Sequence, residues 1–263
     1  MLLPAAMLAA SASGPIYRHN PSAGLRSYRY QATETVLGGP ARGYRTDFDL
    51  EYSGGAICAL VRKSSVLDGI WKPVEPDPSC RAAMHGGKTI LARVKLSPLS
   101  PDAGKTLGAS FLPMCAPPGI FFPLTDILNV VIVPSPHFRA TELRKVGQSL
   151  SYKSFDAAFD RSGIALKETS PGGEIELAAI DARRAVIEWK PALAELELVE
   201  HSRTSAVTLR GTEQFAFRVE INRHTGAIER ARTINDDLDL KIVGAADTNP
   251  HVRITRTVTI DPL

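Results

Sequence analysis

From Val146 to Ile260 the chain is a succession of short runs in which apolar and polar residues alternate, separated by Gly, Asn, Asp and Pro. The clearest run sets Phe215, Phe217, Val219 and Ile221 between Gln214, Ala216, Arg218, Glu220 and Asn222, and ends at His224-Thr225-Gly226. A period of two sends one set of side chains to a core and the other to water. Repeated at short intervals, it reads as antiparallel sheet. Strands are expected near 148–156, 163–169, 174–180, 184–190, 195–203, 205–210, 213–223, 227–234, 237–243 and 251–260. Their boundaries fall at Ser162-Gly163, Pro171-Gly172-Gly173, Gly211, Gly226, Asn235-Asp236-Asp237 and Asn249-Pro250, residues that punctuate regular structure.

The N-terminal part follows the same grammar. Leu25–Leu37 reads as a strand with Tyr28 and Tyr30 on one face. In Thr46–Tyr52, Phe48, Leu50 and Tyr52 alternate with Asp47, Asp49 and Glu51. Ser53-Gly54-Gly55 then predicts a tight turn into Ala56–Arg62, forming a hairpin with Phe48, Leu50 and Tyr52 inward and the three carboxylates on a solvated face. Lys88–Leu96 is a further strand, after a Pro-rich loop over Lys72–Pro78.

Between Ser97 and Pro136 the prolines are too dense for central strands. This stretch is expected to be a long connection with short helical pieces, chiefly Leu124–Val131, which Pro134 terminates. That helix would be apolar nearly all round and therefore buried. The fold class expected is mainly β: a curved antiparallel sheet or partial barrel, with short helices from the central connection. Residues 1–24 read as a signal or flexible leader and 25–263 as a single β domain. The alternative is two β units, 25–96 and 138–263, joined by the Pro-rich connection.

Composition narrows the functional classes. The 263 residues carry a net charge of only +3, and Lys and Arg are scattered without a basic block. This is a solvated surface rather than a nucleic-acid footprint, and no nucleic-acid partner is expected. No stretch after the N-terminus is apolar enough for a transmembrane span; Ile120–Val133 comes nearest but contains Pro123 and Asp126. The first residues form an apolar run ending in Ala10-Ser11-Ala12, a cleavage pattern of exported proteins, although a basic n-region is missing. A periplasmic or secreted location is expected. In that setting Cys80 and Cys115, both in Pro-rich loops, could form a disulfide, with Cys58 in an apolar strand as a small core residue; three unpaired thiols are the alternative.

Chemical motifs are sparse. The six histidines are far apart and none has a helical i, i+4 partner. Cysteine spacings suited to zinc, a nucleophile elbow and a dinucleotide fingerprint are all missing. Gly87-Lys88-Thr89 and Gly104-Lys105-Thr106 lack the first glycine of a phosphate loop. Asn235, Asp236, Asp237 and Asp239 coincide with an expected turn, where Asn and Asp serve the backbone. No cofactor or metal is expected, no catalytic residue emerges, and the reading leans away from an enzyme.

What remains is the interior. A large twisted sheet must curl, close or pair with another layer. If it curls around 120–133, the candidate ligand-binding residues are Phe121, Phe122, Ile127, Leu128 and Val131, facing Phe215, Phe217, Val219 and Ile221. Plain core is the alternative for all of these residues, since apolar alternation does not separate a filled core from a ligand cavity.

Two stretches carry a resemblance: Pro134–Ser149, in which a proline-flanked apolar segment leads through Val146-Gly147-Gln148-Ser149 into a strand, and Phe217–Ile228, which holds the Thr225-Gly226 hairpin. Together they resemble envelope β-proteins of the lipoprotein-carrier (LolA-like) half-barrel type, relatives of unknown function included. The resemblance covers about residues 110–263 and transfers no specific binding residue. It implies a curved antiparallel sheet, a helical plug and binding of acyl chains. The expected function is that of a periplasmic binding protein for a hydrophobic, acyl- or lipid-like ligand, or for an envelope protein. A hydrolase assembled from dispersed residues and a structural interaction module are the alternatives.

Overall fold

The computed structural model describes residues 16, 24–37, 39–53, 56–68, 70–74, 84–85, 88–95, 126–127, 129–130, 133–134, 139–161, 164–201, 206–244 and 251–263. Among the described residues, thirteen strands occur in chain order: β1 (Gly24–Val36), β2 (Arg42–Ser53), β3 (Ala56–Asp68), β4 (Ile70–Val74), β5 (Met84–His85), β6 (Lys88–Lys95), β7 (Ser149–Arg161), β8 (Ile164–Ile180), β9 (Arg184–Pro191), β10 (Ala194–His201), β11 (Ala206–Asn222), β12 (Ile228–Ile242) and β13 (His251–Pro262). They form one antiparallel sheet that is curved but not closed.

The order across the sheet largely follows the sequence, apart from the local crossovers β8–β10, β9–β11 and β3–β6 and one long-range exception. β7 pairs β8; β8 then meets β9 through one half of its length and β10 through the other; both of these meet β11, and β12 and β13 follow. The exception is β1, which pairs β13 on one side and β2 on the other, so the first strands extend the sheet begun by the last. β3 continues the order and is flanked by β6 along one half and β4 along the other.

The hairpin of β2 and β3 turns between Ser53 and Ala56 as its glycines predict, and Phe48 and Leu50 are buried. The expectation for the opposite face is corrected. Asp47 and Asp49 are 4% and 1% exposed rather than solvated. Asp47 accepts from Arg29 on β1 at 2.8 Å and faces Lys63 on β3; Asp49 accepts from Ser27 and faces Arg62. The stems of these long cations cover the carboxylates of the central strand.

Three expected boundaries are also corrected. Pro171-Gly172-Gly173, Gly211 and Asn235–Asp237 do not end strands but lie within β8, β11 and β12. Gly211 is required by close approach: a Cβ there would run into the backbone carbonyl of Asp239 on β12. Between Arg232 and Asp237 the pairings of β12 to both neighbours shift register, against β11 at Thr233–Asn235, so the chain bulges and continues through Asn235–Asp237. The stretch entered as a Pro-rich loop begins instead with β4, which includes Lys72–Val74.

In the central connection the backbone is α-helical at 126–127 and 129–130, and the amide of Val133 donates to the carbonyl of Asn129 at 3.0 Å. A single 3-10 turn at Ala140–Glu142 precedes β7. Ile16, in the stretch read as a flexible leader, is buried, and its carbonyl accepts from Arg223. No helix among the described residues is long and apolar enough to cross a membrane.

Candidate functional site

The inner face of the sheet follows from the registers. β1 contributes Tyr28, Tyr30, Ala32 and Glu34; β13 contributes Ile254, Arg256, Val258 and Ile260; β11 contributes Leu209, Glu213, Phe215, Phe217, Val219 and Ile221. One large apolar cluster joins Phe215, Phe217, Val219 and Ile221 to Trp189, Val258, Ile260 and the tyrosines of β1. A smaller one, Leu196, Leu238 and Leu240, lies toward the other ends of the same strands. Ile127, Val130 and Val133 join the large cluster from outside the sheet.

Of the ligand-binding candidates, Ile127, Phe215, Phe217, Val219 and Ile221 thus come together in one interior. Phe215 and Phe217 meet edge to face with centroids 4.3 Å apart, and Trp189 stands edge-on to Phe215 at 5.8 Å. Phe121, Phe122, Leu128 and Val131 lie outside the described residues, as do Cys80 and Cys115. The side chain of Cys58 is likewise undescribed.

Sequence reasoning did not anticipate the polar group set into this apolar face. Arg256 on β13 is 4% exposed and faces three carboxyl groups. Its guanidinium lies 2.8 Å from Asp236 on β12, 3.2 Å from Asp126 and 3.7 Å from Glu213 on β11. Asp126 precedes Ile127 in the connection, so it is the only member of the four that the sheet does not supply. It accepts from Nη1 and Nη2 of Arg256, one on each carboxylate oxygen, and from the hydroxyl of Tyr30 at 2.8 Å. Glu34, beside Arg256 in the β1–β13 register, accepts from Tyr44. The ring of Phe215 lies 5.8 Å below the guanidinium.

Among the described residues, the Arg256 guanidinium faces two buried carboxyl groups, Asp126 and Asp236, and the part-buried Glu213, and neighbouring carboxylates resist joint ionisation. Two like charges 4 Å apart repel by about 4 kcal/mol at an effective dielectric of 20. Burial pushes Asp236 up to about 8, with the charges of Asp126 and Glu213 adding to it and Arg256 opposing. Burial pushes Glu213 up to about 7, and Glu168 on β8 contributes to that rise while being raised by burial itself. Asp126 is raised by burial against the pull of Arg256 and the Tyr30 hydrogen bond. Burial alone would lower Arg256, but its carboxylate neighbours outweigh this and hold it firmly protonated. Tyr30 is held neutral by burial and by Asp126. At neutral pH the cluster therefore retains at least one proton on its carboxyls.

Each of these groups stands in the apolar phase of its strand. Arg256 is in line with Ile254, Val258 and Ile260; Glu34 with Ala32 and Val36; Glu213 with Leu209 and Phe215; Asp236 with Leu238 and Leu240. A charge at an inward position of an alternating run is the signal that could have found them.

His251 lies 2.9 Å from Asp239, a carboxylate that this bond and Arg253 hold below its usual range, but both groups are half-exposed at the sheet surface. Among the described residues no group of three His, Cys, Asp or Glu side chains could hold a metal ion. No protein-family model matches the chain, and no curated protein matches it significantly.

Proposed function

We propose that this protein binds a hydrophobic, acyl- or lipid-like ligand on the inner face of its curved sheet, as an exported protein of the periplasm or the extracellular space. One observation carries the reading. The apolar face is not covered by a second sheet where it is described; Ile127, Val130 and Val133 of a short non-sheet segment bury themselves in it. An acyl chain presents the same kind of surface as these aliphatic side chains, and burial of either is favoured by about 25 cal/mol per Å2 of apolar area. The ligand takes the place of the segment on the aromatic floor formed by Phe215, Phe217 and Trp189. Export is supported by the apolar N-terminal run ending in Ala10-Ser11-Ala12.

Native mass spectrometry of the protein purified from its own host, without detergent or organic solvent, tests this reading. A stoichiometric lipid-mass adduct that solvent extraction removes is the expected result. A bare polypeptide mass, together with failure of the extracted protein to take up any acyl compound, would overturn it.

A second reading has its own support. Ile127, Phe217, Val219 and Ile221 are all 0% exposed, so none borders a space that admits water. A filled interior of this kind suits a structural interaction module, which predicts no ligand under any condition.

A further inference from the structure

We propose that Arg256 and Tyr30 form a cradle for the carboxylate of the ligand, and that Asp126 occupies this cradle in the free protein. The proposal rests on the acyl-binding reading and names the ligand class: an amphiphile with an apolar chain and a carboxylate head, such as a long-chain fatty acid.

Asp126 lies on Arg256 as a ligand acid would: its two oxygens face Nη1 and Nη2 in a fork at 3.4 and 3.2 Å, a looser contact than the 2.8 Å from Arg256 to Asp236, and the Tyr30 hydroxyl adds a third donor at 2.8 Å. The donors belong to adjacent strands, β1 and β13, of the sheet. The acceptor belongs to the segment that the ligand would replace. Exchanging Asp126 for a ligand carboxylate therefore keeps the Tyr30 hydroxyl and Nη1 and Nη2 of Arg256 supplied with an acceptor and leaves the net charge of the interior unchanged. An uncharged acyl compound removes Asp126 without refilling the cradle.

The remaining carboxyls do not forbid this exchange. Asp236 and Glu213 also face Arg256, and their raised proton affinities keep them partly neutral at pH 7. Glu34 is engaged by Tyr44, and Glu168 lies beyond Glu213 on β8. The chain of the ligand has a floor beside the cradle, since Phe215 lies under Arg256 and continues into Phe217 and Trp189. Trp189 Nε1, buried in the same cluster, has no hydrogen-bond partner among the described residues and offers a further donor to a polar ligand atom.

The test is displacement of the uncharged fluorophore N-phenyl-1-naphthylamine by dodecanoate and by methyl dodecanoate, on the full-length protein at pH 7.5. The wild type should bind the acid at least about ten-fold more tightly than the ester, as expected when a buried polar site loses its charged partner. Asp126→Asn, which weakens the internal competitor that acid and ester must both displace, should tighten the two alike by several-fold and keep the preference for the acid. Tyr30→Phe should erode the preference for the acid while circular dichroism shows the fold intact. Equal affinity for acid and ester in the wild type and both variants would overturn the cradle and leave the acyl-binding reading standing. Failure of the fluorophore, acid and ester alike to bind would overturn both.

Discussion

Removing a charge from the buried cluster should stabilise the protein at alkaline pH, and Asp236→Asn is the cleanest way to do it. Asp236 is 1% exposed, and its carboxyl has a pKa of about 8 in the folded chain against about 3.9 when unfolded. Because the folded value is raised, the contribution of this group is fully present below about pH 4 and is lost progressively as pH rises through about 8. In that window the folded state holds a proton that the unfolded chain has released, so stability falls by about 1.4 kcal/mol per pH unit. Across the whole window the loss is bounded at about 6 kcal/mol, and sharing of the protons with Glu213 and Asp126, which titrate with Asp236, brings it below that bound. Asparagine keeps the shape, cannot ionise and relieves its neighbours. Urea unfolding of both proteins at pH 5 to 9 should show the wild type losing stability with pH markedly faster than Asp236→Asn, with the two curves separating most at pH 9. Parallel curves, or a wild type that gains relative to the variant as pH rises, would refute the placement of Asp236 against Asp126 and Glu213.

Three further outcomes follow from packing. Gly211→Ala should destabilise strongly even though the backbone alone would gain roughly 0.5–1 kcal/mol from alanine in a strand, because its Cβ meets the Asp239 carbonyl; a variant with an unchanged or raised melting temperature would contradict the close approach of β11 and β12. Ile127→Ala should cost about 2–5 kcal/mol, the usual range for truncating a buried aliphatic side chain, since Ile127 is 0% exposed; a silent change in urea melts would mean that the segment does not seal the sheet. Leu50→Asp should prevent folding, whereas Asp49→Asn should cost about 1 kcal/mol, the value of one hydrogen bond, because Asp49 is paired with Ser27 and Arg62; the opposite ranking would mean that the faces of β2 are reversed.

Much of the architecture was legible in the alternation of side chains. The hairpins at Ser53–Ala56 and at Thr225-Gly226 follow from local turn chemistry, and β13 can be read directly from Ile254, Val258 and Ile260. Strand continuity was less legible, because Gly and Asp serve two purposes. At Thr225-Gly226 the glycine makes a turn, with Asn222 accepting from the amides of His224 and Thr225; at Gly211 it admits a neighbouring backbone within a strand. Only the partner strand distinguishes the two. The joining of β1 to β13 is a long-range pairing that no local pattern specifies.

The apolar half of the candidate site was visible as Phe215, Phe217, Val219 and Ile221 opposite Ile127. The polar half was not, although Arg256, Glu213 and Asp236 each interrupt an apolar phase. Asp236 was masked by its neighbours, since Asn235-Asp236-Asp237 has the composition of a turn, and the bulge that directs Asp236 inward depends on pairing with β11 and β13. Asp126 seemed only to break an apolar segment, yet it places that segment against the sheet through Arg256 and Tyr30.

Methyl-resolved NMR of the isoleucine and valine side chains, recorded while dodecanoate is added to the solvent-extracted protein, addresses the central claim most directly. Binding on the inner face predicts saturable shifts at Ile127, Val130, Val219, Ile221, Val258 and Ile260, which form one cluster with the segment and the floor, while the exposed Ile70, Val146 and Ile234 stay unchanged. Shifts confined to those exposed methyls, or none at saturating dodecanoate, would contradict the claim that the concave face is a ligand site.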